Sequence, residues 1–254
     1  MSTPLIEVKS LTHVFPDGKR ALDEVNLDIH TASFVILAGP NGSGKTVFMR
    51  HLNGLARPSS GEVLLEGVPV LNDLSRARRS IGLVFQDADA QIVGQTVARD
   101  VAFGPENLRL PRTVIEKRVK SALKATGLVG FDERRPHTLS GGEMRRLTVA
   151  GVLAMEPDLL VLDEPFTGLD WPGCADLLAV LDKFHSSGKT VLLITHDLDK
   201  VLAHADRLML MDSGRIAADG APEDIIDQVE GLGIRRPAGN VAGMSWKRHR
   251  DSKK

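Results

Sequence analysis

The sequence predicts an α/β fold built around a phosphate-binding loop, and three observations predict it. Strand-like and helix-like segments alternate along most of the chain. An apolar run at 34–38 enters a glycine-rich loop and leaves it at helical spacing over 45–53. A second apolar run, Leu159-Leu160-Val161-Leu162, closes on two acids, Asp163 and Glu164.

Local patterns give the other elements. Residues 5–11 and 25–29 read as early strands, with Asp17-Gly18 turning between them. Another strand is predicted over 62–65, after the turn Pro58-Ser59-Ser60-Gly61, and a buried one over 81–85. From Val97 to about Gly127 the pattern is helical. Val114, Val119 and Leu123 are apolar, while Glu116, Lys117, Arg118 and Lys120 make a solvated face. Helices are predicted over 143–155 and 171–184, and a strand over 191–195. Residues 208–211, the turn Ser213-Gly214 and 216–218 suggest a terminal hairpin. The segment 231–254 is rich in Gly, Arg and Pro and ends in a basic run, so it is expected to be a flexible, solvated tail.

Composition narrows the function. The chain has 254 residues, 42% of them hydrophobic and 26% charged, which is enough apolar mass for a sizeable core. A net charge of −1 supplies no basic field, which argues against a nucleic acid partner. The one cysteine, Cys174, excludes an internal disulfide and fits a reducing compartment. Met1-Ser2-Thr3-Pro4 lacks the basic-then-apolar pattern of a secretory leader. No run approaches the ~18 apolar residues that span a bilayer. Work at a membrane would therefore need a second, embedded chain.

The loop Gly39-Pro40-Asn41-Gly42-Ser43-Gly44-Lys45-Thr46 fits G-x-x-x-x-G-K-[ST]. Its glycines let the backbone curl so that N–H groups face phosphate oxygens, and the helix that follows adds its positive end. Lys45 places a cation against the β- and γ-phosphates, and the Thr46 hydroxyl suits Mg²⁺. Asp163, at the carboxyl end of a buried strand, is a second candidate for the metal. Glu164, one residue on, is placed to polarise an attacking water. Leu139-Ser140-Gly141-Gly142-Glu143 precedes a helix and suggests a second anion cradle, with Ser140 also able to cap that helix. Two phosphate cradles in one chain make sense if two copies face each other and each covers the other's nucleotide.

With these motifs in this order, the chain resembles the ABC transporter ATPase family over about residues 5–228. The resemblance implies a P-loop NTPase fold of the ABC type. Its nucleotide-binding domain would span residues 5–230, with an antiparallel β subdomain and a helical subdomain at about 90–155. Gly39 to Thr46 resembles the Walker A loop and Leu159 to Glu164 the Walker B strand with its catalytic glutamate. Leu139 to Glu143 resembles the ABC signature, although Glu143 stands where the family commonly has Gln. Gln86 is similar to the glutamine that touches Mg²⁺ and the attacking water. Thr167-Gly168-Leu169-Asp170 resembles the D-loop, and His196 the switch histidine that contacts the γ-phosphate. Phe15 takes the place of the aromatic that stacks on adenine.

A narrower resemblance rests on Asp87-Ala88-Asp89-Ala90-Gln91 and Val101-Ala102-Phe103-Gly104-Pro105-Glu106-Asn107. These segments are similar to the energy-coupling factor ATPases, whose commoner pattern at 87–91 is Asn-Pro-Asp-Asn-Gln. That likeness implies ATP and Mg²⁺ as cofactors and a homodimer or a heterodimer with a related ATPase. It also implies a multi-span coupling subunit, a substrate-binding membrane subunit and work on the cytoplasmic face of the cell membrane. The solute would be a transition-metal ion such as cobalt or nickel, or a vitamin such as biotin. An ABC ATPase of another membrane complex, including a cell-division type, is the alternative.

Overall fold

The computed structural model describes residues 3–247. In chain order the first elements are β1 (Ile6–Val14), β2 (Arg20–Ile29), β3 (Phe34–Ala38), α1 (Lys45–Leu52), β4 (Ser60–Leu65), β5 (Val68–Pro69), α2 (Leu74–Ser80) and β6 (Ile81–Val84). Next come α3 (Val97–Asn107), α4 (Arg112–Ala125), α5 (Gly141–Leu153), β7 (Leu159–Asp163) and α6 (Trp171–Ser186). The remainder is β8 (Thr190–Ile194), β9 (Arg207–Asp212), β10 (Arg215–Gly220) and the short α7 (Pro222–Ile225).

Two sheets result. One is antiparallel, in the order β2-β1-β4-β5; the other has the order β10-β9-β3-β8-β7-β6. In the second, β3 runs parallel to β8 and β9, and β7 parallel to β6 and β8, while β10 returns antiparallel along β9. β3, β7 and β8 are buried along their whole length, as continuous apolar strands covered on both faces should be. Alternation still sorts their side chains. Ile36, Leu160, Leu162 and Leu193 pack with α6, whereas Val35, Leu37, Val161 and Leu192 pack with Phe48 and Met49 of α1 and with the antiparallel sheet.

Pairing register decides which residues share the carboxyl edge of this sheet. Leu37 and Asp163 both pair with Ile194, and Val84 with Leu162. The chain therefore leaves four neighbouring strands at one level, through Gly39, Phe85, Glu164 and Thr195. Ligands of open parallel sheets bind at such an edge.

α3, α4 and α5 form a separate lobe with its own core of Val97, Val101, Leu123, Leu128, Leu147 and Ala150. The helical stretch expected from Val97 breaks in two at Leu108, because Arg109 adopts φ 54 and Pro111 cannot continue a helix. β1 and β2 run longer than expected, to Val14 and from Arg20, joined by a tight turn in which Phe15 N–H bonds Lys19 O at 2.9 Å.

The C-terminal segment departs from expectation. It is not a frayed end through its described part: Ile234, Val241 and Met244 are buried in the core beside α6. Trp246 N–H donates to Lys200 O at 3.0 Å, and the Lys200 ammonium lies 4.9 Å from the Trp246 ring centre. His204 bridges Asp182 (2.8 Å) and Ser245 (2.7 Å), and Lys247 pairs with Asp182. Three buried apolar side chains outweigh the Gly and Pro content that suggested disorder. The basic end at 248–254 lies outside the described residues. Met244→Ala is expected to lower unfolding free energy by about 2–5 kcal/mol in urea titration; a loss below about 0.5 kcal/mol would show that this segment is not part of the core.

Candidate active site

Sharp conformations shape the phosphate loop. Gly44, at the start of α1, has φ 108, and a Cβ there would lie 2.5 Å from Ala21 O. A Cβ on Gly39 would lie 2.2 Å from Met211 O, so the loop packs directly against β9. The loop is closed by Ser43 N–H to Pro40 O at 3.2 Å and fastened to the β9–β10 turn by Gly214 N–H to Ser43 O at 2.9 Å. Asn41 and Gly42 form its exposed rim, and the Ser43 hydroxyl is buried with no hydrogen-bond partner. A hydroxyl in that condition suits a loop that takes an anion, which would supply its acceptor.

Lys45 is 7% exposed and donates to Gly39 O (2.6 Å) and Pro40 O (2.9 Å). Burial pushes its pKa down, opposed by the charges of Glu164 and Asp163. An ammonium has three donors, so one remains for a phosphate oxygen. Thr46 Oγ1 donates to Asp163 Oδ2 at 2.7 Å, so the two candidate metal ligands already touch. Burial pushes the Asp163 pKa up and the Glu164 charge adds to this, while Thr46, Lys45 and Arg50 oppose it. A hydroxyl beside a carboxylate is a hard oxygen pair of the kind that holds Mg²⁺ next to bound phosphates.

Glu164 leaves β7 with φ 44, inside the left-handed region that non-glycine residues avoid. Its N–H donates to Ile194 O at 2.8 Å. The carboxylate is held at three points: by Thr195 Oγ1 on Oε2 (3.1 Å), and by the His196 N–H (3.2 Å) and Nδ1 (2.7 Å) on Oε1. Because a carboxylate only accepts, Nδ1 carries the proton, while Nε2 of the half-exposed ring lies 3.8 Å from Asp197 Oδ1. Gln86 follows β6 with an exposed side chain. A cleft of about 540 Å³ joins it with Thr46, Arg50, Phe85 and Asp163.

The other candidates stand elsewhere. Ser140 and Gly141 are exposed, and neither they nor Gly142 line that cleft. Ser140 caps α5 reciprocally: its hydroxyl accepts from Glu143 N–H at 3.3 Å, and Glu143 Oε2 accepts from Ser140 N–H at 2.8 Å. The latter bond holds the Glu143 pKa down, and a Gln there would accept the same bond through its amide oxygen, so Glu143 keeps the cap. A Cβ on Gly142 would lie 3.9 Å from Leu169, so the signature motif sits against the D-loop. Asp170 in that loop caps α6 through Gly173 N–H at 2.9 Å. Phe15 is 38% exposed, with the His13 ring edge-on at 5.1 Å.

A family model described as ABC transporter matches residues 22–167. The chain belongs to the ABC transporter family. It is 44% identical over 229 residues to the energy-coupling factor transporter ATP-binding protein EcfA of Methanocaldococcus jannaschii, covering 89% of this chain and 82% of that one. It is 47% identical over 233 residues to a putative ABC transporter ATP-binding protein of Halobacterium salinarum, covering 92% and 100%. Among solved structures, cbiO1 of Clostridium perfringens, part of the ABC transporter complex cbiONQ, superposes with a TM-score of 0.81 at 36% identity, covering 91% and 93%. A dimeric post-hydrolysis state of the ATP-binding cassette MJ0796, bound to ADP and Pi, gives 0.76 at 28% identity, covering 85% and 98%.

The chain is thus an ABC ATPase, the ATP-binding subunit of an ABC transporter, and among the described residues no helix is long and apolar enough to cross a membrane. Two residues of this ABC ATPase's site escaped the sequence reading, Thr195 and Arg145, and Gln91 was noted only as part of the segment at 87–91. Thr195 is wholly buried and grips Glu164; nothing in a threonine at a strand end signals that. Thr195→Val keeps the shape and removes the grip. Hydrolysis is expected to fall by about 10- to 100-fold with ATP affinity unchanged, measured by phosphate release and nucleotide titration; undiminished turnover would mean that Glu164 does not need holding.

Proposed function

We propose that this ABC ATPase powers an importer of the energy-coupling factor type, working as a homodimer or with a related ATPase on the cytoplasmic face of the membrane. Its companions would be a multi-span coupling subunit and a substrate-binding membrane subunit. The solute would be a transition-metal ion such as cobalt or nickel, or a vitamin such as biotin. Support for this class comes from the segments at 87–91 and 101–107 and from the names that the curated relatives carry. The observation that carries the chemistry is Glu164, strained and held at three points beside the Thr46–Asp163 pair.

In this reading the amides of Gly39 to Thr46 and the Lys45 ammonium receive the phosphates, and Phe15 supports the adenine. Thr46, Asp163 and Gln86 would hold Mg²⁺, which neutralises charge on the β- and γ-oxygens. Glu164 takes the proton of the attacking water. Its bonds to Thr195 and His196 fix the direction from which it does so. His196, its Nδ1 held by Glu164, would contact a γ-phosphate oxygen through Nε2. Ser140, Gly141 and Gly142 of a second subunit cover the γ-phosphate, and Asp170 stands beside them at the same interface.

Glu164→Gln keeps the shape and removes the base. It should bind ATP, lose about 100-fold or more of the hydrolysis rate and accumulate a closed dimer in sedimentation; fast turnover by this variant would remove Glu164 from its role. Purified from its native membrane, the protein should carry both a multi-span protein and a small substrate-binding membrane protein. A different membrane complex in its place would reject the energy-coupling assignment while leaving the ATPase assignment standing.

A further inference from the structure

Arg145 is 5% exposed, on the second turn of the signature helix α5. Its guanidinium spans two consecutive backbone carbonyls of the glutamine loop: Nη1 donates to Phe85 O at 2.7 Å and Nη2 to Gln86 O at 2.6 Å. The same loop is also clipped by Gln91. Its Oε1 accepts from Phe85 N–H at 2.9 Å and its Nε2 donates to Leu83 O at 3.0 Å, extending the end of β6 by side-chain bonds. Asp87 and Asp163 face this guanidinium with opposite charge.

We propose that Arg145 is a positioning residue that joins the glutamine loop of a chain's own ATP site to the Ser140–Gly142 cradle that serves its partner's site, so that the two sites act together. The proposal rests on the facing dimer described above. Two planar N–H groups on two successive carbonyls resist both sliding and rotation, which a single contact would not. The capping box ties Ser140 rigidly to α5, about 7 Å along the helix from Arg145. A displacement of Gln86 on meeting the γ-phosphate therefore carries the cradle with it. The cradle is not part of that chain's own cleft, so its movement is felt at the nucleotide across the interface. Occupancy of one site then biases closure over the other, which is a coupling between two distinct sites.

The test uses the full chain with Arg145→Met and Arg145→Lys. Intrinsic affinity is read with a fluorescent ATP analogue in a Ser140→Arg background, where closure is blocked, and both variants should match that background. Steady-state hydrolysis against ATP concentration should give a Hill coefficient of about 2 for the wild type, falling to about 1 in Arg145→Met. The maximal rate should drop about 10-fold in Arg145→Met, with Arg145→Lys intermediate, because an ammonium cannot span both carbonyls. A wild-type Hill coefficient retained in either variant overturns the proposal, and so does a wild type that closes with ATP yet hydrolyses without cooperativity. If Arg145→Met fails to fold, Arg145→Lys alone decides by the same criterion. Failure of Glu164→Gln to form any ATP-dependent dimer would withdraw the facing-dimer reading itself, whereas a normal dimer with unchanged cooperativity withdraws only the role of Arg145.

Discussion

The bond between the Thr46 hydroxyl and the Asp163 carboxylate is the junction on which the site depends. It joins the first turn of α1, which follows β3, to the end of β7, across the single intervening strand β8, at 2.7 Å. Lys45, Asp163 and Glu164 are each less than 10% exposed around it. Three ionisable groups out of water are costly unless each has partners. Here the lysine lies among carbonyls, Asp163 accepts from Thr46, and Glu164 accepts from Thr195 and His196. The arrangement follows from register. Asp163 pairs with Ile194, so Thr195 and His196 emerge next to Glu164. A shift by one residue would turn every buried side chain of β7 to the opposite face and take the acids with it.

Glu164 shows the cost of this geometry. The chain must turn off the strand at once, and it does so with a non-glycine residue at φ 44. Among the described residues seven other non-glycine residues share positive φ, Ser10 and Glu24 within β1 and β2 and the rest between elements, but Glu164 is the one beside the Thr46–Asp163 pair. Strain of this kind, of order 1–3 kcal/mol, persists where surrounding bonds over-determine it. The backbone bond to Ile194 and the three contacts on the carboxylate do so here.

Chemistry confined to a short run of sequence was legible before folding. The phosphate loop, the acid pair and Ser140-Gly141-Gly142 each declare themselves within a few residues, because backbone curvature and charge have local requirements. The alternation that separates β3, β7 and β8 from their helices was legible for the same reason. What escaped is what the fold joins across distance. Arg145 meets Gln86 across 59 positions and Thr195 meets Glu164 across 31, and an arginine or threonine has many uses. The packing of Ile234, Val241 and Met244 escaped for another reason. Their spacings of seven and three would suit one helical face, but Pro237, Gly239 and Gly243 among them argue against a helix, so no element marked them as core.

The order already present in the single chain bears on how ATP is used. Gly39 and Gly44 are packed in place, Lys45 keeps one donor beyond its two carbonyl bonds, and Asp163 and Glu164 are held by Thr46, Thr195 and His196. What a ligand spends on ordering cannot also shift an equilibrium between two states, since only differential affinity does that. Ser140 and Gly141 stand exposed, and with Gly142 they lie outside the cleft that Thr46, Gln86 and Asp163 line. In the proposed facing dimer, a packed floor in one chain and a cover from the other would direct the free energy of ATP binding into the approach of two chains, the step that an embedded partner would feel.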